Sequence, residues 1–509
     1  MPSMTTGPSS RRSRAALLGI DLGTSSVKAV MTDIHGVVIG QAAAEYVVIN
    51  PRPGWAETNP ADWLEATITA VRQAVAAAGA VPHAVGLSGQ MHGLVAADAA
   101  GRPLRPAMLW SDARAVPQLA LYRDLPDWLR SRLANPLSPG MAGPMLAWLA
   151  ENERDTYNRT RWALQPKDWL RAQLTEGFAS EPSDASATLL YDIVADRWDH
   201  EVVAALGLDA ALLADLLPSA GHYAGTLTPR AAATLGVPAG IPVAAGAADT
   251  AAAALGSGLI EPGAAQLTIG TGAQVVTPVA TLPDDLTASA AVRHLYRAAT
   301  DHGWYVMGAV LNGGLTLGWV RQVLGATWQE LYDTAGGAPA PDDPLFLPHL
   351  NGERTPYMDP SMRGAWTGLS PRHDRSRLLR AALEGVAFAI KDAVDCVLDS
   401  GNAVDHLRLA GGGTTKPAWR QLLADVLGYR LRAVDVPAAS GRGAAMLGAR
   451  AAGLIDEPTL GESLAQPTTL VAEPRVDRHD HYTERHQKFV RSLQALRGAD
   501  RDRVLAVPM

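Results

Sequence analysis

The sequence predicts an α/β fold made of two related units, and three observations carry that prediction. Apolar, β-prone runs alternate with helix-patterned segments along most of the chain, the arrangement that yields sheets covered by helices. A strand, a short Gly/Thr/Ser turn and a second strand span 15–31, and the same pattern returns at 265–276. Finally, 509 residues exceed what one hydrophobic core organises, so two domains are expected.

Composition narrows the function classes. With 47% hydrophobic and 19% charged residues the chain is globular rather than disordered. A net charge of -7 argues against a nucleic-acid partner, and no run is apolar and long enough for a membrane span. Cys396 is the only cysteine, which excludes an internal disulfide or a thiolate metal cluster and suggests a reducing, cytoplasmic setting. Residues 1–14, rich in Ser, Pro and Arg, read as a disordered leader.

Taken in order, the first hairpin joins 15–20 to 27–31 through Gly23, Thr24, Ser25 and Ser26. Its turn offers N–H and hydroxyl donors to phosphate oxygens, and Asp21 offers a carboxylate to a divalent cation. An ordinary hairpin with an acidic residue is the other reading. A third strand follows at 37–40, then a helix punctuated by Thr58 or Asn59, Pro60 and Gly79. The strand 84–87 runs into Ser88-Gly89-Gln90-Met91-His92-Gly93, and a further strand is expected at 94–97. Residues 115–240 read as mainly helical: Lys167 opens a helix, and Ser183–Ser186 is expected as a loop capping the next one. A small-residue strand, 242–248, leads to Asp249 and an alanine-rich helix ending near Gly256 and Gly258. The domain boundary is placed there, giving an N-terminal domain at 15–257, a C-terminal domain at 258–455 and a helical tail at 456–509. The second hairpin turns at Gly270-Thr271-Gly272. A long amphipathic helix is expected at 375–398. The strand 407–410 then enters Gly411-Gly412-Gly413 ahead of a helix, a geometry that brings a phosphate or flat ligand against backbone; a plain turn is the alternative. Residues 443–452 form a small-residue helix suited to very close packing.

Common catalytic signatures are missing. None of the five lysines follows Gly and precedes Ser or Thr, so there is no P-loop, and no glycine cluster completes a dinucleotide fingerprint. A nucleotide must therefore be handled by another architecture.

Eight segments supply one. IDLGTSSVKAV (20–30), GQMHG (89–93), LWSDAR (109–114), PKDWLR (166–171), GAADT (246–250), LTIGTGA (267–273), LPHLNGERTP (347–356) and AGGGTT (410–415) follow one another in this order. In sequence and spacing they resemble the FGGY carbohydrate kinases of the actin-like ATPase superfamily, nearest to the members that phosphorylate xylulose. The resemblance runs from Leu17 to about Gly453. It implies two ribonuclease-H-like domains with a deep cleft between them, sugar mainly on the first and ATP mainly on the second. The implied activity is Mg²⁺-dependent transfer from ATP to a pentulose, D-xylulose giving D-xylulose 5-phosphate. The partners are then small molecules, and a homodimer is among the expected assemblies. By position, Asp249 would be the general base and, with Asp21, a magnesium contact. Met91 and His92 would contact sugar, with Gln90, Trp110 and Thr250 beside them. Thr24 and Ser25 would face the phosphates from one side and Gly270, Thr271 and Gly272 from the other, while Gly411, Gly412 and Gly413 would approach the adenosine. Locally, Asp249 reads equally as a helix N-cap, and His92 as a strand-end histidine bonded to backbone.

Three positions depart from the family pattern. Thr250 stands where Asn usually follows the catalytic Asp, Ser111 where Asn is usual, and Gly272-Ala273 where Ser-Gly is usual. Threonine offers one short hydroxyl in place of an amide, so a kinase for another ketose or a polyol (ribulose, a ribitol-like substrate) stays open. A non-catalytic actin-like ATPase or sugar sensor is a further alternative, against which both carboxylates speak.

Overall fold

The computed structural model describes residues 15–337, 340, 342–399 and 404–505, with residues 498–505 in backbone only. The leader expected at 1–14 lies outside the described residues. Two seven-stranded sheets organise the chain. The first contains β1 (Ala16–Leu22), β2 (Ser26–Thr32), β3 (Val38–Glu45), β4 (Pro82–Gly89), β5 (Tyr223–Thr226), β6 (Pro242–Ala244) and β7 (Ala247–Ala248). Their spatial order is β5-β6-β4-β1-β2-β3, with β7 beside β4. The second contains β8 (Ala265–Ile269), β9 (Ala273–Val279), β10 (His294–Arg297), β11 (Trp304–Val310), β12 (His406–Ala410), β13 (Arg430–Ala433) and β14 (Thr469–Ala472), in the order β10-β11-β9-β8-β12-β13-β14.

The repeat signalled by the two glycine turns is a repeat of whole sheets. In each, a hairpin (β1-β2, β8-β9) pairs antiparallel with a third strand, and its first strand pairs parallel with the next (β4, β12). A further parallel strand and an antiparallel edge strand follow in both, and each sheet adds one strand of its own, β7 beside β4 in the first and β10 beside β11 in the second. Burial follows position: β1, in mid-sheet, is buried throughout, whereas outer β3 alternates half-buried and exposed residues.

The helices used below are α1 (Pro60–Ala78), α2 (Pro166–Thr175), α3 (Pro182–Ala185), α4 (Asp249–Gly256), α5 (Gly314–Val323), α6 (Arg375–Leu398), α7 (Pro417–Leu427), α8 (Ala439–Ala451), α9 (Glu457–Leu464) and α10 (Val476–Leu505). Helix α1 is bounded as its punctuation predicts: Asn59 accepts the Ala61 N–H, and Gly79 stops the helix at φ 58°. Elsewhere the structure corrects the expectation. Ser183 and Asp184 are not a loop capping a later helix; they form the buried turn α3, capped by the Glu181 carboxylate. The 242–248 strand is broken into β6 and β7 at Gly246, whose φ of 82° turns the chain. Residues 115–240 are not only helical, since β5 closes one edge of the first sheet. Nor is 456–509 simply a helical tail. It supplies β14 to the second sheet, and Tyr482, Phe489 and Leu493 of α10 join that core. Arg485 ties α10 to α6 through Glu384, 2.6 Å away.

Helix α8 falls within 258–455 yet lies against β1, β4 and α4 of the other half. The approach is backbone on backbone. A Cβ at Gly86 would strike the Ala444 carbonyl, one at Gly19 the Gly441 carbonyl and one at Gly256 the Ala439 carbonyl. Arg442 then stitches the crossing, donating to the carbonyls of Gly36 and Gly256.

If this contact carries the stability assigned to it, Gly86→Ala lowers the unfolding free energy by roughly 2–4 kcal/mol in urea titrations, because main chain must move to admit one methyl. Gly461→Ala in α9, where a Cβ meets nothing within 4 Å, is the control and does not lower it, alanine being the better helix former by up to about 1 kcal/mol. Equal effects at the two positions would refute the account.

Candidate active site

Parallel pairing gathers the candidate residues. Asp21 is in register with Ser88, and Ser88 with Ala247, so β1, β4 and β7 deliver Asp21, Gln90–His92 and Asp249 to one end of the sheet. The carboxyl ends of parallel strands are where α/β folds place ligands. The second sheet repeats this: Thr268 is in register with Ala410, which sets Gly270–Gly272 beside Gly411–Gly413.

Two carboxylates define the centre. Asp21 is buried, which pushes its pKa up, while Lys28 opposite it on β2 and the Ser88 hydroxyl (3.2 Å) pull it back. Asp249 is pushed up to about 7 by burial and by the charge of Asp21, against the Thr250 hydrogen bonds. It is the first residue of α4 rather than its N-cap, and its Oδ1 accepts the Thr250 N–H at 2.6 Å. Among the described residues no group of three or more His, Cys, Asp or Glu could hold a metal ion. Two mutually repelling carboxylates suit a Mg²⁺ that keeps waters and takes its other ligands from phosphate, so the donor set fits that cation.

On one side of this pair lie the expected sugar contacts. Gln90 donates to the Gly23 carbonyl (3.2 Å), while its Oε1 is buried with no hydrogen-bond partner. Met91 is buried under Tyr305, whose hydroxyl lies 3.9 Å from the sulfur. His92 has φ 77°, and its Nδ1 lies 2.8 Å from the Ala187 carbonyl, so it is bonded to backbone while its ring lines the cleft. Burial lowers its pKa to about 4. Trp110 donates to Thr24 Oγ1 (3.0 Å), linking the sugar side to the first turn, and Thr250 accepts from Gln274 (3.3 Å). A cavity of about 560 Å³ opens between the halves, lined by His92, Trp110 and Arg123 from one and His294, Glu353 and Arg354 from the other. Asp249 is not among its lining residues; Tyr296 feels the charge of both Asp249 and Arg354 and so links the two regions.

The two glycine turns complete the set of candidates. Thr24 is half-buried and Ser25 exposed in the first. In the second, Gly270 donates to the Gly272 carbonyl, and the first N–H groups of α5 bond its carbonyls (Gly314 to Gly270, 3.0 Å; Leu315 to Thr271, 2.9 Å). Gly411 has φ 93°, and a Cβ there would strike the Ile269 carbonyl, so glycine is required.

Beneath the site a buried charge cluster sets the Asp249 backbone. Ser183 Oγ accepts the Ala248 N–H (3.0 Å) and donates to Glu181 (2.8 Å); Arg171 donates to the Ala245 carbonyl (2.6 Å). Lys167 pairs with Asp168 at 2.7 Å, Asp184 at 3.3 Å and Glu181 at 3.4 Å. Burial pushes the Asp184 pKa well up, against the attraction of Lys167.

Sequence reasoning missed Ser88, Gln274, His294, Tyr296, Tyr305 and Arg354. Arg354 and Lys167 lay inside quoted motifs but were given no role. Tyr296 and Tyr305 gave no signal, because they sit on strands of the second sheet and reach the first half only through the fold.

Known proteins carry the same pattern. Residues 16–256 match the N-terminal domain of the FGGY family of carbohydrate kinases, and residues 265–452 match its C-terminal domain. A xylulose kinase of Escherichia coli is 33% identical over 486 residues, covering 94% of this chain and 99% of that protein. A glycerol kinase of Alkalilimnicola ehrlichii is also 33% identical, over 96% of this chain and 99% of its own. The solved structure of a xyloylose kinase from Brucella ovis superposes with a TM-score of 0.87 at 35% identity, covering 94% of this chain and 100% of that one. With both domain matches and these relatives spanning the chain, the protein belongs to the FGGY family of carbohydrate kinases.

Proposed function

We propose that this sugar kinase transfers the γ-phosphoryl group of ATP to a pentulose, converting D-xylulose to D-xylulose 5-phosphate with Mg²⁺. The observation that carries the reading is the half-buried Asp249 carboxylate, set against Asp21 at the strand ends and next to the cleft that holds His92. A sugar hydroxyl is a weak nucleophile, and phosphoryl transfer asks the protein chiefly for positioning and charge neutralisation. Asp249 takes the hydroxyl proton as the oxygen–phosphorus bond forms and the bond to the β-phosphate oxygen breaks, releasing ADP. Asp21 and Asp249 would hold Mg²⁺, which neutralises charge on the phosphates. Gln90, Met91, His92, Trp110 and Thr250 orient the sugar. Thr24 and Ser25 face the phosphates from the first turn and Gly270, Thr271 and Gly272 from the second, with Gly411, Gly412 and Gly413 under the nucleoside. The xylulose kinases among the relatives favour this sugar; Thr250 and the glycerol kinase relative keep another ketose or a polyol as the second reading.

ADP release with Mg²⁺ and ATP across ketopentoses and polyols tests the substrate: D-xylulose is expected to give the highest kcat/KM, and a preference for ribulose or a polyol would replace it. Asp249→Asn is expected to lower kcat about 10³-fold while sugar still binds, measured by calorimetry. Retained turnover would place the base elsewhere.

Stability gives a readout independent of turnover. A carboxyl raised in the folded state binds its proton more tightly there than in the unfolded chain. It therefore costs stability progressively as pH rises from about 4 to about 7. In Mg²⁺-free buffer, Asp249→Asn is expected to be more stable than wild type at pH 8, by up to about 4 kcal/mol before solvent screening of this half-buried group is allowed for, and no more stable at pH 4. An equal difference at both pH values would refute the buried-charge account.

A further inference from the structure

Arg354 is a charged group of the cleft that the function above leaves unused. Its backbone is clamped by Glu353, whose Oε1 accepts the N–H groups of Arg354 (2.9 Å) and Leu311 (2.7 Å) and whose Oε2 accepts from Asn312 (2.9 Å). That carboxylate is thus spent on the loop. Among the described residues the guanidinium itself has no hydrogen bond and no carboxylate within ion-pair distance; it lies over the Trp110 ring, 5.6 Å from the centroid. The other cavity arginines differ. Arg130 is held by Asp127 and by the Arg123 carbonyl, and Arg123 is exposed at the rim. Glu353 attracts the guanidinium without pairing with it, and a half-buried cation whose N–H groups lack acceptors is unfavourable unless a ligand brings them.

His92 supplies the complementary group from the other half of the chain. Its Nδ1 faces the Ala187 carbonyl, an acceptor only, so Nδ1 carries the proton. Burial and the nearby Arg354 charge keep the ring neutral, with a pKa of about 4, which leaves Nε2 as an acceptor. One cavity therefore presents an acceptor-only imidazole nitrogen and a donor-only guanidinium. The matching ligand carries a hydroxyl that gives its proton beside an oxygen that has only lone pairs, which describes an α-hydroxyketone. In the corresponding polyol that second oxygen bears a hydrogen of its own, for which the guanidinium offers no acceptor.

We propose that Arg354 is a specificity-determining residue of the sugar site. Its guanidinium donates to the carbonyl oxygen of an open-chain ketose, while His92 Nε2 accepts from the adjacent terminal hydroxyl. The far end of the sugar then lies toward Asp249. This assignment rests on the sugar-kinase reading above and deepens it: the enzyme reads the ketone, not merely a row of hydroxyls.

The test is kcat/KM for D-xylulose and for its C2-reduced polyols, xylitol and D-arabitol, in wild type, Arg354→Lys, Arg354→Gln and Arg354→Met, with Tm and the KM for ATP measured alongside. The ketose-to-polyol ratio is expected to fall about 30-fold in Arg354→Met and Arg354→Gln, carried by the KM for sugar rather than by kcat, with Arg354→Lys intermediate. A purely structural role would instead move Tm, the KM for ATP and both sugars together. A ratio unchanged by these variants in an enzyme active on ketoses overturns the assignment alone, and so does a wild-type preference for a sugar acid such as D-xylonate, because the guanidinium would then be reading a carboxylate. A wild type that phosphorylates no sugar overturns the kinase reading and this assignment with it.

Discussion

The contact on which the rest of this structure depends is the crossing of α8 over β1, β4 and α4. It brings main chain from residues 439–451 against main chain from both ends of the first half, at spacings only glycine permits. Helix α4 begins with Asp249 and leads directly into the second sheet, so the crossing sets where the carboxylate stands relative to both halves. Ser440 on α8 even donates to the Asp249 carbonyl, at 3.4 Å. Packing of this kind has little give, because neither partner can yield a side-chain rotamer in place of a backbone shift.

Around that crossing the protein holds a concentration of buried charge. Asp21 and Asp249 are unfavourable neighbours in a site partly screened from water, and the elevated Asp249 pKa reflects this. The cluster of Lys167, Arg171, Asp168, Glu181 and Asp184 beneath them is likewise buried, but it is internally paired. The contrast is informative. Lys167, Arg171, Asp168 and Glu181 pair within the cluster, Arg171 also donates to the Ala245 carbonyl and Glu181 holds Ser183 against the Ala248 N–H, whereas the Arg354 guanidinium has no such partner among the described residues. Charge satisfied by the fold supports; charge the fold leaves unsatisfied is available to ligands.

Much of the first half could be read residue by residue. The Asn59-Pro60…Gly79 boundaries of α1 are local, because caps act within a turn of the residues that form them. The two glycine turns were likewise visible, since a hairpin is a short-range object. The errors fall where distant contacts decide. Ser183 and Asp184 look like loop residues until Glu181, held by the buried Lys167, caps them into a turn. The 242–248 run looks like one strand until Gly246 bends it around Leu87. The segment 456–509 looks like an appended charged helix because its apolar residues are sparse, yet those few insert into the second core.

By itself, then, the chain determined the alternation of strands and helices, the doubled hairpin and the motif residues Asp21, His92 and Asp249, because each rests on neighbours in sequence or on motif order. Tertiary structure alone decided which of these meet. Parallel pairing of β1, β4 and β7 joins residues more than 200 positions apart, and α8 returns from the second half to brace them. It also decided what else enters the site. Tyr296, Tyr305 and Arg354 come from strands and a loop of the second half, and nothing in their local sequence distinguishes a side chain bound for the core from one bound for the cleft. Burial and charge environment, which set the acid–base character of Asp249 and the neutrality of His92, exist only once those elements have come together.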